Sequence, residues 1–551
     1  MKSRRLLLAV ILAAAAVRLA HLGFIVGHPY HDFWTVWKES DMFQYVAWAR
    51  HLASGDWLDR ETFRPWFTWQ AGIAQPQVWN AWFGEHVYYQ PPLYPYLLAA
   101  ALRLTGSLDL FRALQLMLGA LNCGLLALLG ERIFTRSAGL IAGFSAAAYA
   151  PFVLYDAEIL RGTLVMTTQL LLLIALVKRR AAWAGVAFGI GYLAEPSILL
   201  FGPAVILWLW WVGRDWGGKV AGLARWKPAA VFITCAAVSL TPLMTRNLLV
   251  SAPIISSTTR GPLAFVMGNA PDAQPAGAFI PASTGEILTR SDYRMGATVK
   301  ETLRLYQGQY MPLLIKQWQK FRCLWSAYEV PDNPSFYYAA RISPIIGYGM
   351  RFLPVAALGL VGLGLVLPRL RREPDAALLV VFMAAAHALF LLAHVVSRYR
   401  QTIVIPLLLL GAYAVAKAVS GGIRSPRAAL IPAAAVAVTL LLPWRPPDGY
   451  GYLRPAEYMV ASDLYVERGE PGEAAAELTS LIQQAGADPA TAHLLPAVWY
   501  KLGTVQTGAG HHEEAAESFR EALRADPAFG EAYDALRQAE AAAGRQRGGR
   551  P

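Results

Sequence analysis

Charge is what this 551-residue chain has little of: only 16% of its residues are Asp, Glu, Lys or Arg, where soluble globular chains carry about 25%. That deficit, beside 56% hydrophobic residues, excludes an ordinary soluble globular protein. Cysteine is scarce as well. Cys123 and Cys235 lie in apolar runs and Cys323 in a loop, a spacing that supports neither a disulfide framework nor a metal site. No glycine-rich phosphate loop is present, so no nucleotide site is expected. Acid is scarcer than base, 37 Asp and Glu against 49 Lys and Arg, for a formal net charge of +12. In a soluble chain that balance would suggest nucleic acid. Here most basic residues sit in short loops between apolar runs, where they set topology, and no nucleic-acid partner is expected.

What the chain does have is apolar runs of about 18 to 25 residues, the length that crosses a bilayer. With a cytoplasmic N-terminus the predicted spans fall near 6–26, 108–130, 137–153, 160–177, 181–196, 198–212, 228–245, 346–367, 375–395, 402–418 and 428–443, about eleven helices. The start, "MKSRRLLLAVILAAAAVRLA", also has the form of a secretory signal, but its apolar run continues to Val26 and further spans follow. A retained first span is the simpler reading. Every even crossing then ends in a basic cluster: Arg132 and Arg136; Lys178 to Arg180; Arg214, Lys219, Arg225 and Lys227; Arg369, Arg371 and Arg372; Lys417, Arg424 and Arg427. The positive-inside rule is satisfied throughout. This places two long loops, 27–92 and 246–345, and everything after Pro443 on the outer side, where chemistry is expected.

After "LLPWRPPDGYGYLRP" the chain turns Ala- and Glu-rich with helical periodicity and no further span. Residues 1–443 read as the membrane domain, 444–456 as a linker and 457–545 as a helical repeat domain. Within "WYKLGTVQTGAGHHEEAAESFREALRADP", Trp499, Leu502, Gly503, Ala515, Phe519, Ala522 and Pro527 fall on the large, small and terminating positions of the tetratricopeptide repeat. Gln506 departs from the usual Tyr. Small Gly503 and Ala515 let paired helices approach, with Phe519 filling the gap between hairpins. A divergent hairpin precedes this unit and a partial one follows. The bland alternative is a generic Ala-rich helical tail. A repeat of this kind is a docking surface for a protein partner and carries no catalytic groups of its own.

Four places carry candidate chemistry. In "SDMFQYVAWARHLASGDWL", Asp41 stands at the head of an amphipathic helix just beyond the first span. Either Ser40 or Asp41 caps that helix, or Asp41 is a general base for an acceptor hydroxyl. In "AAAYAPFVLYDAEILRGTLVM", Asp156 and Glu158 lie between apolar spans with almost no loop to hold them. Carboxylates at that depth either serve a site or mark the wet end of a short hairpin. Arg246, Arg398 and Arg400 stand at the outer ends of spans, the wrong side for topology cations. They contact a lipid phosphate or simply snorkel. Finally, His28, His31, Asp32, Glu85 and His86 share the first outer loop, but no compact ligand spacing supports a metal there.

In this order, "SDMFQYVAWARHLASGDWL", "YYQPPLYPYLLA", "YDAEILRGTLV", "GVAFGIGYLAEPSILL", "PLMTRNLLVSAPIISSTTRGPLAFVMGNAPDA", "WSAYEVPDNPSFYY" and "SRYRQTIVIP" resemble the bacterial GT-C glycosyltransferases related to protein O-mannosyltransferases and to the lipid A aminoarabinose transferase. The resemblance covers about residues 1–440. It implies an α-helical polytopic enzyme of the bacterial cytoplasmic membrane, with its active site on the outer side. Such an enzyme transfers a sugar from a polyprenyl-phosphate-linked donor, with inversion, to a protein, lipid or glycan acceptor. It implies Asp41 as the base, Asp156 and Glu158 as a second acidic site, and Arg246, Arg398, Tyr399 and Gln90 as donor contacts, with no metal or other cofactor. Three positions depart from the pattern: Met42 where relatives often carry a second acid, Gln90 where the aminoarabinose enzymes have Lys, and Glu195 in "LAEPS" where relatives often show Arg. The competing classes are a lipid-linked sugar flippase and a non-catalytic anchor for the repeats. A flippase would show internal hydropathy repeats, and an anchor would need one or two spans.

Overall fold

The computed structural model describes residues 2–213, 225–333, 335–421, 454–487 and 491–548. Two compact units divide the chain. The first takes Met1–Gly23, Glu39–Asn333 and Pro344–Trp444, and the second takes Phe24–Lys38, Pro334–Ser343 and Arg445–Pro551.

Among the described residues the first unit is helical. Its main helices are α1 (Lys2–Ile25), α2 (Asp41–Ala53), α3 (Leu93–Thr105), α4 (Leu108–Ile133), α5 (Arg136–Ala148), α6 (Ala150–Ala157), α7 (Gly162–Val177), α8 (Ala181–Ala194), α9 (Gly202–Val212), α10 (Lys227–Ser239), α11 (Thr241–Leu249), α12 (Gly261–Asn269), α13 (Phe352–Val366), α14 (Pro374–Leu392) and α15 (Ser397–Val419). Five helices are each long and apolar enough to cross a bilayer: Arg4–Ile25 within α1, α4, Phe352–Arg369, α14 and α15. Two bent pairs, α6 with α7 and α10 with α11, bring the total to as many as seven among the described residues, and α8 and the stretch Pro196–Val212 are shorter apolar helices. Leu8, Leu12 and Leu19 of α1 are exposed, as expected of side chains that face lipid tails. The chain is a multi-pass membrane protein.

The predicted span 137–153 is not one helix. Pro151 has no N–H to continue a helix through Tyr149, and the chain breaks there into α5 and α6. Tyr149 instead forms a bridge with Met350, whose carbonyl accepts the Ala150 N–H at 2.9 Å. After α6 the chain turns by 118° into α7, placing Glu158–Arg161 in the connection. Close helix approach depends on glycine at Gly139, where a Cβ would strike the Ala127 carbonyl of α4. The predicted span 428–443, most of the linker, and Arg214, Lys219, Arg424 and Arg427 lie outside the described residues.

The two long loops of this unit are not loose. Phe67, Trp79 and Phe83 from the first share an apolar core with Leu263, Val266 and Tyr293 from the second.

In the second unit, α16 (Pro455–Glu467), α17 (Pro471–Gly486), α18 (Leu495–Gly508), α19 (His512–Ala525) and α20 (Gly530–Gly548) pack each against the next. Gly503 lies against Phe519, and a Cβ there would come 2.6 Å from Phe519 Cε1. Ala515 and Phe519 are buried, Trp499 is half-buried, and Pro527 sits in the turn after α19. Segments 24–38 and 334–343 belong to the same unit. Tyr338 packs edge-on to Tyr458 at 4.9 Å, Arg341 pairs with Glu477, and Arg468 pairs with Asp32 at 2.7 Å.

Candidate functional site

The head of α2 settles which residue caps it. Ser40, in extended geometry, accepts the Phe43 N–H on Oγ at 3.1 Å. That is the capping bond, and it leaves the Asp41 carboxylate for other partners. Gln90 Nε2 donates to Asp41 Oδ1 at 2.8 Å, and Asn333 Nδ2 donates to Oδ2 at 3.2 Å. Arg398 Nη2 lies 2.8 Å from Oδ2, and Arg260 Nη1 lies 3.6 Å from Oδ1. Burial opposes the charge on Asp41, but Arg398, Arg260 and Arg161 outweigh it and hold the carboxyl below the usual carboxylate range. Its side chain keeps 11% exposure, so it is not sealed.

Arg398 is held on two edges and open on the third. Its Nε meets Asp332 at 2.9 Å and its Nη2 meets Asp41. Buried Nη1 has no hydrogen-bond partner among the described residues. Arg161 is more fully engaged: Nη1 donates to Tyr45 Oη and Gln90 Oε1 at 2.7 and 2.6 Å, and Nη2 pairs with Glu195 at 2.8 Å. The Tyr45 hydroxyl donates in turn to Gln90 Oε1 at 2.7 Å. Gln90 therefore links Arg161 to Asp41.

These arginines border a cavity of about 300 Å³. Val165, Met166, Phe265, Leu389 and Leu392 give it apolar walls, while Arg161, Arg260 and Arg398 bring positive charge. Arg161 and Arg260 are the N-cap residues of α7 and α12, so the positive ends of two helices face the same space. Tyr399 and His394 also line it. Burial, with Arg260 adding to it, pushes the His394 imidazole down to about 3, and the ring stays neutral at pH 7.

Of the residues singled out in the sequence, Asp41, Gln90, Arg398 and Tyr399 converge here, Asp41 and Gln90 directly behind the lining arginines. The others do not. Asp156 is closed into a buried pair with Arg18 (2.8 Å from Nε, 2.7 Å from Nη2) and accepts the Thr163 hydroxyl at 2.6 Å. Glu158 is buried and, like Asp156, does not border the cavity. Arg246, expected to contact phosphate, is turned onto carbonyls: Leu58 at 2.8 Å, Asp59 at 2.7 Å, and His86. Its guanidinium also lies 4.1 Å from the Tyr88 ring. With Asn247 Oδ1 at 3.1 Å these acceptors take four of its five N–H donors, and the result is a pin for the first loop. Arg400 pairs with Glu329 and donates to the Ser326 carbonyl. Among the described residues no group of three His, Cys, Asp or Glu is placed to hold a metal.

Arg161, Arg260, Glu195, Asn333 and Asp332 were not singled out as site residues. Two of them left a signal: each of Arg161 and Arg260 stands directly before a glycine that opens an apolar helix.

Residues 89–241 match the family described as dolichyl-phosphate-mannose-protein mannosyltransferase. This segment is under a third of the chain. It contains Gln90, Arg161 and Glu195 but not Asp41, Arg260 or Arg398. No curated protein matches the chain in sequence. In three dimensions the chain is similar to the Archaeoglobus fulgidus oligosaccharyltransferase in its apo form, with 14% identity and TM-score 0.40 over 79% of this chain and 55% of that one. It is similar also to the oligosaccharyltransferase AglB of that organism in complex with an inhibitory peptide and a dolichol-phosphate, with 14% identity and TM-score 0.40 over 81% and 57%. The chain thus spans little more than half the length of the solved structures it matches.

Proposed function

We propose that this chain is an integral-membrane inverting glycosyltransferase that moves a sugar from a polyprenyl-phosphate-linked donor to an acceptor hydroxyl on the outer face of the membrane. One observation carries the reading. A single guanidinium, Arg398, holds the Asp41 carboxylate and also lines an apolar cavity that two further arginines border. An anion tethered to a long apolar chain matches that lining, because the walls take methylene groups and the arginines take phosphate. The family description that matches 89–241, which names a dolichyl-phosphate sugar, supports the same donor class.

In the reaction, the bond from the sugar's anomeric carbon to the phosphate oxygen breaks as the acceptor oxygen bonds the opposite face. The electron pair leaves with the phosphate, where Arg398 and Arg260 stabilise the developing charge. The acceptor proton passes to Asp41. Arg398, Arg260 and Arg161 favour its ionised form, which is the form that can accept that proton.

The outer-side orientation expected from the basic loops belongs to this proposal, as do the tetratricopeptide character of α16 to α20 and its role in docking a protein partner. A membrane-bound donor explains why the base is held beside the spans. The test is mass spectrometry of envelope glycans and glycoproteins from a strain deleted for this gene. The expected result is loss of one sugar residue, restored by the intact gene and not by D41N. Unchanged glycans would remove the proposal.

A further inference from the structure

The cavity has a part whose chemistry neither the apolar walls nor the phosphate contacts use. Glu195 opens the short helical turn Pro196–Phe201 that follows α8. One carboxylate oxygen, Oε2, is neutralised by Arg161 at 2.8 Å. The other, Oε1, accepts only the Ser197 N–H among the described residues, at 3.4 Å, too long to satisfy a carboxylate oxygen. The side chain is 24% exposed and borders the cavity. Around the same space stand Gln169, Gln401 and Thr402, all uncharged. Gln169 Nε2 donates to Thr402 Oγ1 at 3.3 Å. Gln401, 8% exposed, has an Nε2 with no hydrogen-bond partner among the described residues. A buried amide without a partner is costly unless a ligand supplies one.

We propose that Glu195, with Gln401, Gln169 and Thr402, forms the subsite for the donor's sugar and selects a neutral polyhydroxyl ring over an anionic one. The proposal rests on the donor reading above and deepens it. Arg161 already pairs with Glu195 through Oε2, so the spare oxygen suits a neutral hydroxyl donor rather than a second cation. A carboxylate on the sugar would meet Glu195 without a free cation beside it, because Arg161 is engaged by Tyr45, Gln90 and Glu195. Gln401 Nε2 then donates to a ring or hydroxyl oxygen. The arrangement also links occupancy to the base, since Arg161 connects Glu195 to Gln90 and Gln90 donates to Asp41.

The test measures binding of three probes to the purified full chain: polyprenyl phosphate alone, its mannosyl ester and its glucuronosyl ester. The mannosyl ester should bind about tenfold tighter than bare polyprenyl phosphate, the equivalent of about one well-made hydrogen-bond set at 1.4 kcal/mol. The glucuronosyl ester should bind no tighter than the bare lipid. E195A should lose the mannosyl gain, while the bare lipid should bind at least as tightly as in the parent because Arg161 loses its counter-charge. E195Q, which keeps an acceptor oxygen and guards against loss of fold, should keep part of the gain and accept the glucuronosyl ester better than the parent does. An unchanged mannosyl-to-bare ratio in E195A overturns the subsite. Preference for the glucuronosyl ester in the parent overturns it as well. If none of the three lipids binds, the donor reading itself falls, and the subsite with it.

Discussion

Asp41 and Asp156 are both buried carboxylates paired with an arginine, yet only the arginine beside Asp41 borders a cavity. At Asp156 the account closes: Arg18 gives Nε and Nη2 to the carboxylate and Nη1 to the Ala14 carbonyl at 3.2 Å, and Thr163 fills the other oxygen. Gly119 even lacks the Cβ that would displace the carboxylate. At Asp41 the account stays open. Arg398 keeps one edge without a partner among the described residues, Arg260 approaches to 3.6 Å, and a cavity lies beside both. A buried ion pair is therefore no sign of chemistry in itself. The sign is cationic capacity left over after every protein acceptor has been met.

The largest effect should come from breaking the closed pair. R18M strands the Asp156 carboxylate in the interior, at a cost of about 3–5 kcal/mol. Thermal unfolding should show that loss, and replacing both partners with apolar residues should recover much of it. Activity lost per folded molecule, with unfolding unchanged, would instead make Asp156 a participant. Next is the open pair. R398K exchanges a planar fork for a point charge and should weaken binding of polyprenyl phosphate about tenfold, since hydrogen bonds to charged groups contribute about 1.5–3 kcal/mol each. Undiminished binding would make Arg398 a structural partner of Asp41 alone.

A third buried carboxylate sharpens the contrast. Glu457 of α16 is fully buried, with Arg454 3.5 Å away. Burial pushes its carboxyl up to about 7, against the pull of Arg454. The folded state then keeps a proton that the unfolded chain has released, so stability of the second unit falls as pH rises from about 4.5 to about 7. E457Q should raise the unfolding temperature at pH 8 and leave it little changed at pH 4; equal shifts at both would show that ionisation is not the cause. The smallest effect on donor binding should follow R246K, within about twofold, because that guanidinium serves loop carbonyls, at about 0.5–1.5 kcal/mol of stability for each bond lost. A tenfold loss of lipid binding would return Arg246 to the site.

Much of this was legible beforehand. Hydrophobic runs located the helices, because a bilayer demands about 20 consecutive apolar residues. Asp41, Gln90, Arg398 and Tyr399 stood out as polar groups at the ends of such runs. What stayed hidden was pairing between residues far apart in the chain. Asp41 and Arg398 are separated by 357 positions, and periodicity carries no information at that range. The same blindness hid the surroundings of Asp156 and Arg246, since nothing local announces that Arg18 pairs with one and loop carbonyls hold the other. Arg161 was overlooked beside two more conspicuous acids in "YDAEILRGTLV". The break at Tyr149 was also missed, although Pro151 pointed to it.

The measurement that tests the central claim most directly is transfer by D41N beside D41N binding of bare polyprenyl phosphate. Removing the carboxylate charge frees Arg398 and Arg260, so the bare lipid should bind at least as tightly as in the parent. Transfer should fall by about 10²-fold or more, the scale of losing a general base, with the unfolding temperature retained. Near-normal transfer by a folded D41N chain would contradict the account and reduce Asp41 to a counter-charge for its arginines.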